Sequence, residues 1–439
     1  MAFPHRSASL AILGVVAWAV PLLAQLDFES APIYYNTAVT SDPAKQLQDK
    51  LDSGETQLTY DAAHGYLNAV LEQFHVPISS QVLVFSKTSF QLRRINPQTP
   101  RAVYFSDDVY IGWVQDGDVV EISAVDAEQG AIFYTLSQTE SAHPELQRDR
   151  GQCIVCHASS RTSGVPGHLV RSVFPNRSGQ PFFGSGTFTT DHRSPFPERW
   201  GGWYVSGTHG QMRHMGNSVV ESHDEPEKLD VESGANCQDL QEIVNVKPYL
   251  SPHSDIVALM VLEHQSRMHN LITRANFETR AALHYDQIMN KAMGRPDDHR
   301  SESAQRRIES AAEKLVEYML FADEFPLTDP VQGTSGFADE FALRGPFDSQ
   351  GRSLRQLDLT TRLMKYPCSY LIYSRPFKNL PTEVKELAYK QLHEALTATA
   401  SDDRYAHLSL SDRQAIREIL SETVSGLPGY WSNSTGSAP

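Results

Sequence analysis

Residues 251–294 read SPHSDIVALMVLEHQSRMHNLITRANFETRAALHYDQIMNKAMG, and this stretch divides the chain into two kinds of structure. Ser251-Pro252 is typical of a helix start, because serine caps a first turn and proline is tolerated at the first helical position. Apolar residues then recur at helical spacing up to Leu283, and Gly294 ends the pattern. We therefore predict one long helix here, with a different kind of structure before it.

The helical period continues after this stretch. Further helices are predicted at Ala304–Phe321, Ser353–Met364, Glu383–Leu396 and Ser411–Ser421. The connection Ala322–Gly351 is rich in Pro, Gly and Asp, and the tail 432–439 is small and polar, which predicts disorder. Residues 241–431 are thus expected to form an α-helical domain.

The residues before the long helix show a shorter period. After two helical patterns that end near Gly54 and Pro77, short runs rich in Val, Ile, Phe and Tyr predict an antiparallel meander. These runs are Val82–Ser86, Ala102–Phe105, Val109–Val114, Val119–Val125 and Ala131–Leu136. The predicted fold class is α+β, with a strand-rich domain at 25–240 followed by the helical half.

The motif Cys153-Ile154-Val155-Cys156-His157 follows directly on the predicted meander. A C-x-x-C-H sequence is the signature of covalent haem attachment. The two thiols are spaced to form thioethers with the two vinyl groups of one haem, and the adjacent His157 can serve as the proximal iron ligand. We predict one covalently bound haem c, held by Cys153, Cys156 and His157.

Two other interpretations of the cysteine pair stay open. A structural zinc site needs four protein ligands, and the remaining cysteines, Cys237 and Cys368, stand far from the pair in sequence. A thioredoxin-like dithiol belongs at the start of a helix in a βαβ unit, and the residues before Cys153 do not read as a buried parallel strand.

The N-terminus and the net charge indicate the compartment and the partners. Residues 1–24 resemble a secretory signal peptide, with Ala24 as the preferred cleavage point and Ala19 as another. Export to the periplasm or beyond agrees with c-type haem attachment, and no later apolar run is long enough to span a membrane. A net charge of −15 argues against a nucleic-acid partner and is compatible with a basic redox partner protein.

The sixth position on the iron decides what such a haem can do. A His or Met there is typical of a low-spin electron carrier, whereas an open position permits ligand binding and catalysis. The candidates lie close together in one segment: His209, Met212, His214 and Met215. The candidate partners for the haem propionates are Arg161, Arg171, Arg193 and Arg199. A second cluster, Glu263, His264, Met268 and His269, is interpreted as satisfied or solvated helix side chains.

Three longer segments of the sequence resemble one protein family. The sequences CIVCHASSR at 153–161, RWGGWY at 199–204 and HSDIVALMVLEH at 253–264 are similar to exported bacterial cytochrome c domain proteins with a single C-x-x-C-H motif. That resemblance implies haem binding and electron transfer through Cys153, Cys156 and His157, and it implies no particular reaction. Di-haem peroxidases and rubber-cleaving oxygenases carry two such motifs, and this chain has one.

Three hypotheses for the function follow. The first is an exported monohaem cytochrome that transfers one electron at a time. The second is a peroxidase-like or oxygenase-like haem enzyme with an open distal site. The third is a non-catalytic haem-based binding or sensing protein, whose helical half docks a partner.

Overall fold

A computed structural model of the chain describes residues 27–221, 224–225, 228–398 and 403–431. The predicted signal peptide at 1–24 and the predicted disordered tail at 432–439 lie outside these ranges. The fold class is α+β, as predicted: an antiparallel sheet occupies the N-terminal half and helices dominate the C-terminal half.

Nine named strands occur in the described residues, and seven of them form one antiparallel sheet in the order β6-β5-β4-β3-β2-β1-β9. These seven are β1 (Val82–Val84), β2 (Arg101–Phe105), β3 (Val109–Trp113), β4 (Val119–Asp126), β5 (Gly130–Ser137), β6 (Leu146–Arg148) and β9 (Trp203–Tyr204). A separate hairpin pairs β7 (Val170–Val173) with β8 (Thr187–Thr190). The five predicted runs correspond to β1–β5, so the predicted meander is confirmed.

The helices are α1 (Pro43–Ser53), α2 (Leu67–Gln73), α3 (Ile154–His157), α4 (Ile256–Met293), α5 (Glu302–Met319), α6 (Phe337–Ala342), α7 (Arg375–Lys378), α8 (Thr382–Thr397) and α9 (Leu410–Thr423). The predicted long helix is α4, which has 38 residues and ends at Gly294, a C-cap in the left-handed conformation. Its N-cap is Asp255, whose carboxylate accepts from Val257 N at 2.8 Å and from Ala258 N at 3.1 Å. The predicted cap at Ser251 is therefore wrong.

The predicted helix at Ser353–Met364 is wrong. This segment consists of turns, with an isolated bridge between Leu357 and Met364. The Asp358 side chain accepts from the backbone N–H groups of Thr360 and Thr361, both at 2.8 Å, and Leu359 has a φ of 59°. The hydrogen bonds of the Asp358 side chain stabilise a turn at this place. The positive φ of Leu359 is incompatible with a right-handed helix.

Alternate residues of the sheet belong to different apolar clusters. Val103 and Phe105 on β2 share a cluster with α4 and the C-terminal helices. Ala102 and Tyr104 belong to a second cluster with α1 and α2. This alternation follows from the two-residue period of a strand, and it places α4 over one face of the sheet. In the described ranges, no helix is both long enough and apolar enough to cross a bilayer.

Candidate haem attachment site

The C-x-x-C-H motif lies on a single helical turn, α3, shortly after β6. Asp149 fixes the start of this turn, because its carboxylate accepts from the backbone N–H of Gly151 at 3.1 Å and of Cys153 at 2.9 Å. The backbone N–H of His157 then donates to the Cys153 carbonyl at 2.9 Å. The described ranges include all four cysteines, and each of them is a free thiol; Cys156 is exposed and Cys153 is partly exposed.

His157 is fixed by Gly167 through two hydrogen bonds. Its ring Nδ1 lies 2.9 Å from the Gly167 carbonyl oxygen, and its own carbonyl accepts from the Gly167 N–H at 2.8 Å. A carbonyl oxygen only accepts, so Nδ1 carries the proton and Nε2 keeps a lone pair. Burial lowers the pKa of His157, which favours the neutral ring. This tautomer is the one in which Nε2 can bind a metal.

Helix α4 holds the loop that carries Gly167. The Asn270 side chain accepts from the His168 N–H at 2.9 Å and donates to the His168 carbonyl at 2.6 Å. Arg274 donates to the Ser163 carbonyl at 2.9 Å, on the same loop. A Cβ atom at Gly167 would lie 2.0 Å from Asn270 Oδ1, so glycine is the residue that this close approach allows. The position of the Gly167 carbonyl therefore depends on α4.

The sheet supplies one side of the site. The His157 ring lies 4.9 Å from the ring of Phe133 on β5. Arg101 and Glu121 form a half-buried ion pair at 2.8 Å, and their charges act on His157. Burial and the nearby charges of Asp149 and Glu121 raise the pKa of Cys153 to about 12, so this residue is a neutral thiol at neutral pH.

Arginines lie on the other side of the motif. Burial and the charge of Arg161 lower the pKa of Arg171 on β7, and Cys156 acts on this pKa in the opposite direction. Arg193 pairs with Asp191, with Nη2 2.8 Å from Oδ2. Arg199 is buried at 2% exposure and lies 3.2 Å from Glu263, which makes it an internal ion-pair partner. Among the predicted propionate partners, Arg171 is therefore the one whose charge interacts with a motif cysteine.

The four candidate sixth ligands do not form one cluster: Met215 packs with Phe174 and Val220, whereas Met212 belongs to the main apolar core. The His209 and His214 rings lie 4.7 Å apart, and Met212 and Met215 are buried. His209 donates from Nδ1 to the Met212 carbonyl at 2.6 Å and accepts at Nε2 from the Asn236 N–H at 3.0 Å, which engages both ring nitrogens. His214 Nδ1 accepts from the Gly216 N–H at 3.0 Å.

Met215 and Cys156 lie near opposite faces of strand β7. The Met215 sulfur lies 3.6 Å from the hydroxyl of Ser172. Ser172 and its neighbour Arg171 point to opposite faces of the strand, and Arg171 is the one near Cys156. Within the described ranges, no hydrogen bond or ring contact joins these four residues to His157. Their role as iron ligands stays a prediction.

Sequence reasoning missed His168. His168 is buried, lies 2.7 Å from the hydroxyl of Ser123 through Nε2, and stacks 4.0 Å from the Tyr110 ring. Burial, with the charges of His269 and His157, holds its pKa well below the ordinary value. The neighbouring Pro-Gly pair predicts only a turn, and no local pattern shows that His168 packs against α4.

The second predicted cluster is made of buried side chains that are only partly satisfied, because Glu263 Oε1 and His269 Nδ1 have no hydrogen-bond partner among the described residues. His264 Nδ1 lies 2.9 Å from His192 Nδ1, and its Nε2 lies 2.8 Å from the Ser369 hydroxyl. His269 donates to the Asp107 carbonyl at 2.7 Å. These residues are fully or almost fully buried, so the solvated alternative is excluded for them.

No group of three or more His, Cys, Asp and Glu side chains in the described part of the chain is arranged to hold a metal ion. Comparison with protein families, curated proteins and solved structures gives no match to this chain.

Proposed function

We propose that the protein carries one haem c, bound covalently through Cys153 and Cys156 with His157 as the proximal ligand, and that it transfers single electrons. The observation that carries the proposal is the hydrogen bond from His157 Nδ1 to the Gly167 carbonyl at 2.9 Å. That bond directs the proton to Nδ1 and leaves Nε2 as the coordinating atom.

The residues of the motif fit such a group. Both thiols are accessible, and neither is engaged in a disulfide. Each thiol would add across one vinyl group, with the sulfur on one vinyl carbon and the hydrogen on the other, and this addition would need no oxidant. Once bound, the haem supplies a reversible one-electron change at its iron.

The protein contributes orientation and electrostatics. The carbonyl that accepts from Nδ1 raises the basicity of the imidazole and fixes its plane. Asn270 and Arg274 hold the loop of that carbonyl against α4, so the proximal ligand is supported by the longest helix in the described residues. Arg161 and Arg171 would pair with the haem propionates.

The proposed setting is an exported, periplasmic one. The signal-like residues 1–24 and the resemblance to exported cytochrome c domain proteins support this part of the proposal. The net charge of −15 suits a basic redox partner, whose approach long-range attraction would accelerate. We propose no nucleic-acid partner.

The test is to produce the full chain with its N-terminus in a host that attaches c-type haem, and to measure intact mass and optical spectra. We expect a mass increase of one haem and a reversible one-electron titration. A low-spin ferric spectrum without reaction with peroxide or cyanide supports the carrier. A high-spin ferric form that reacts with peroxide would instead establish the enzyme hypothesis. A protein without covalent haem would contradict the proposal.

A further inference from the structure

A cavity of about 280 Å³ lies next to the loop that holds His157, between α4 and the β7–β8 hairpin. Three arginines line it, Arg161, Arg193 and Arg267, with one carboxylate, Asp191. His168 and the Ser266 hydroxyl belong to the same wall. Its volume is at the small end of ligand sites, which suits a small molecule or one arm of a larger one.

The charges in the cavity are unbalanced. The Asp191 side chain is 13% exposed, and its hydrogen bonds and ion pair with Arg193 keep its pKa below the ordinary value, so it is ionised and engaged. Arg267 Nε lies 3.9 Å from the same carboxylate, which is beyond hydrogen-bond distance. One carboxylate thus faces three guanidinium groups, and the cavity favours an anion.

Two polar atoms on residues that line the cavity are buried and lack a hydrogen-bond partner within the described residues. One is Arg267 Nε and the other is Nδ1 of His168, a residue that is only 7% exposed. Leaving a buried donor of a charged group unpaired is unfavourable, and a carboxylate oxygen is the acceptor that a guanidinium group binds best.

We propose that this cavity binds a carboxylate group, with Arg267 as its main donor and Arg161 and Arg193 as supporting charges. Such a carboxylate has two sources of the same chemistry: a free small dicarboxylate, or a propionate of the haem. The second source rests on the proposed function, whereas the first does not.

The experiment uses the full chain as purified, with the variants Arg267→Gln and Arg306→Gln. Arg306 is an exposed arginine on α5 whose partner is Glu302, so it serves as the matched control. In the first arm, succinate is titrated into each protein by calorimetry at low ionic strength. We expect Arg267→Gln to weaken binding by about tenfold or more, the effect of removing a charged hydrogen bond, and Arg306→Gln to leave it unchanged.

The second arm measures the midpoint potential of the haem as a function of pH. If a propionate occupies the cavity, succinate does not bind, and Arg267→Gln moves the pH-dependent part of the potential to higher pH. The reason is that loss of a nearby cation raises the pKa of the propionate.

The outcomes separate the two proposals. Succinate binding that depends on Arg267 supports a free-anion site, even in a protein that carries no haem. A shift of the potential without succinate binding supports the propionate. Succinate binding that is equal in both variants, or no effect of Arg267→Gln in either arm, would overturn the proposed site.

Discussion

His157 and His269 use the same hydrogen-bond scheme in opposite surroundings. Each donates one ring N–H to a backbone carbonyl, at 2.9 Å to Gly167 for His157 and at 2.7 Å to Asp107 for His269. Each neutral ring therefore keeps one lone pair. His157 stands on a partly exposed turn beside two thiols, whereas the lone-pair nitrogen of His269 is buried without a partner and the residue is 2% exposed.

The difference shows that a histidine is made ready for a ligand in two steps. A carbonyl partner selects the tautomer, and the packing around the ring decides whether a ligand can reach the remaining nitrogen. His269 satisfies the first condition and fails the second. His209 fails the first, because both of its nitrogens are engaged.

The largest expected effect comes from removing the two cysteines of the C-x-x-C-H motif. The variant Cys153→Ala/Cys156→Ala should lose covalent haem completely, because neither thioether can form. The measurement is haem staining after denaturing electrophoresis. Cys237→Ala is the matched control, since Cys237 is also a partly exposed free thiol, and it should stain at full strength. Staining of the double variant would contradict attachment at this motif.

The next largest effect concerns the loop that carries Gly167, whose carbonyl is the hydrogen-bond partner of His157. Asn270→Leu keeps the approximate volume and removes both hydrogen bonds to the His168 backbone. Two buried backbone groups are then unsatisfied, so we expect the free energy of unfolding in urea to fall by about 2–4 kcal/mol. Asn245→Ala, at an exposed turn, should change it by less than about 0.5 kcal/mol. Equal stability of the two variants would show that α4 does not hold this loop.

Low pH should destabilise the folded protein through His269, whose ring is buried. Burial lowers the pKa of His269 from 6.5 to about 4. Between these values the unfolded chain binds the proton and the folded chain does not, so stability is complete above pH 6.5 and is lost as the pH falls toward 4. Relative to His269→Gln, the wild type should therefore lose about 3 kcal/mol between pH 7 and 4, measured by urea unfolding at each pH.

The variant Glu263→Gln provides the control, because the pKa of Glu263 is shifted in the opposite direction to that of His269. Burial raises the pKa of Glu263 from 4.5 to about 7, against the attraction of Arg199. The folded chain then binds the extra proton between these values. Relative to Glu263→Gln, the wild type should lose stability as the pH rises from 4.5 to 7. Parallel pH profiles for wild type and both variants would show that neither group is perturbed by burial.

The smallest effect concerns His209, the candidate sixth ligand whose two ring nitrogens both form hydrogen bonds. His209→Ala removes the bonds to the Met212 carbonyl and the Asn236 N–H, and we expect a loss of about 1–3 kcal/mol in unfolding free energy. The optical spectrum of the bound haem should stay unchanged. A change from low spin to high spin in this variant would instead identify His209 as the sixth ligand.

The sequence alone predicts the features that depend on local periods and covalent spacing. Apolar residues at helical spacing identified α4, and the five short β-rich runs identified β1–β5. The same reasoning fails at Ser353–Met364, where the side chain of Asp358 stabilises a turn against a helical pattern. The motif at Cys153–His157 predicts haem attachment through the spacing of residues that are close together in the chain.

Only the tertiary structure decided which nitrogen of each histidine is available. The His157 tautomer depends on the Gly167 carbonyl, and that loop is held by Asn270, which lies 102 positions after His168 in the chain. The cavity beside it likewise combines residues from α4, the β7–β8 hairpin and the loop after α3. Hydrogen-bond partners and burial arise when distant segments pack together, and a local sequence pattern contains no information about that packing.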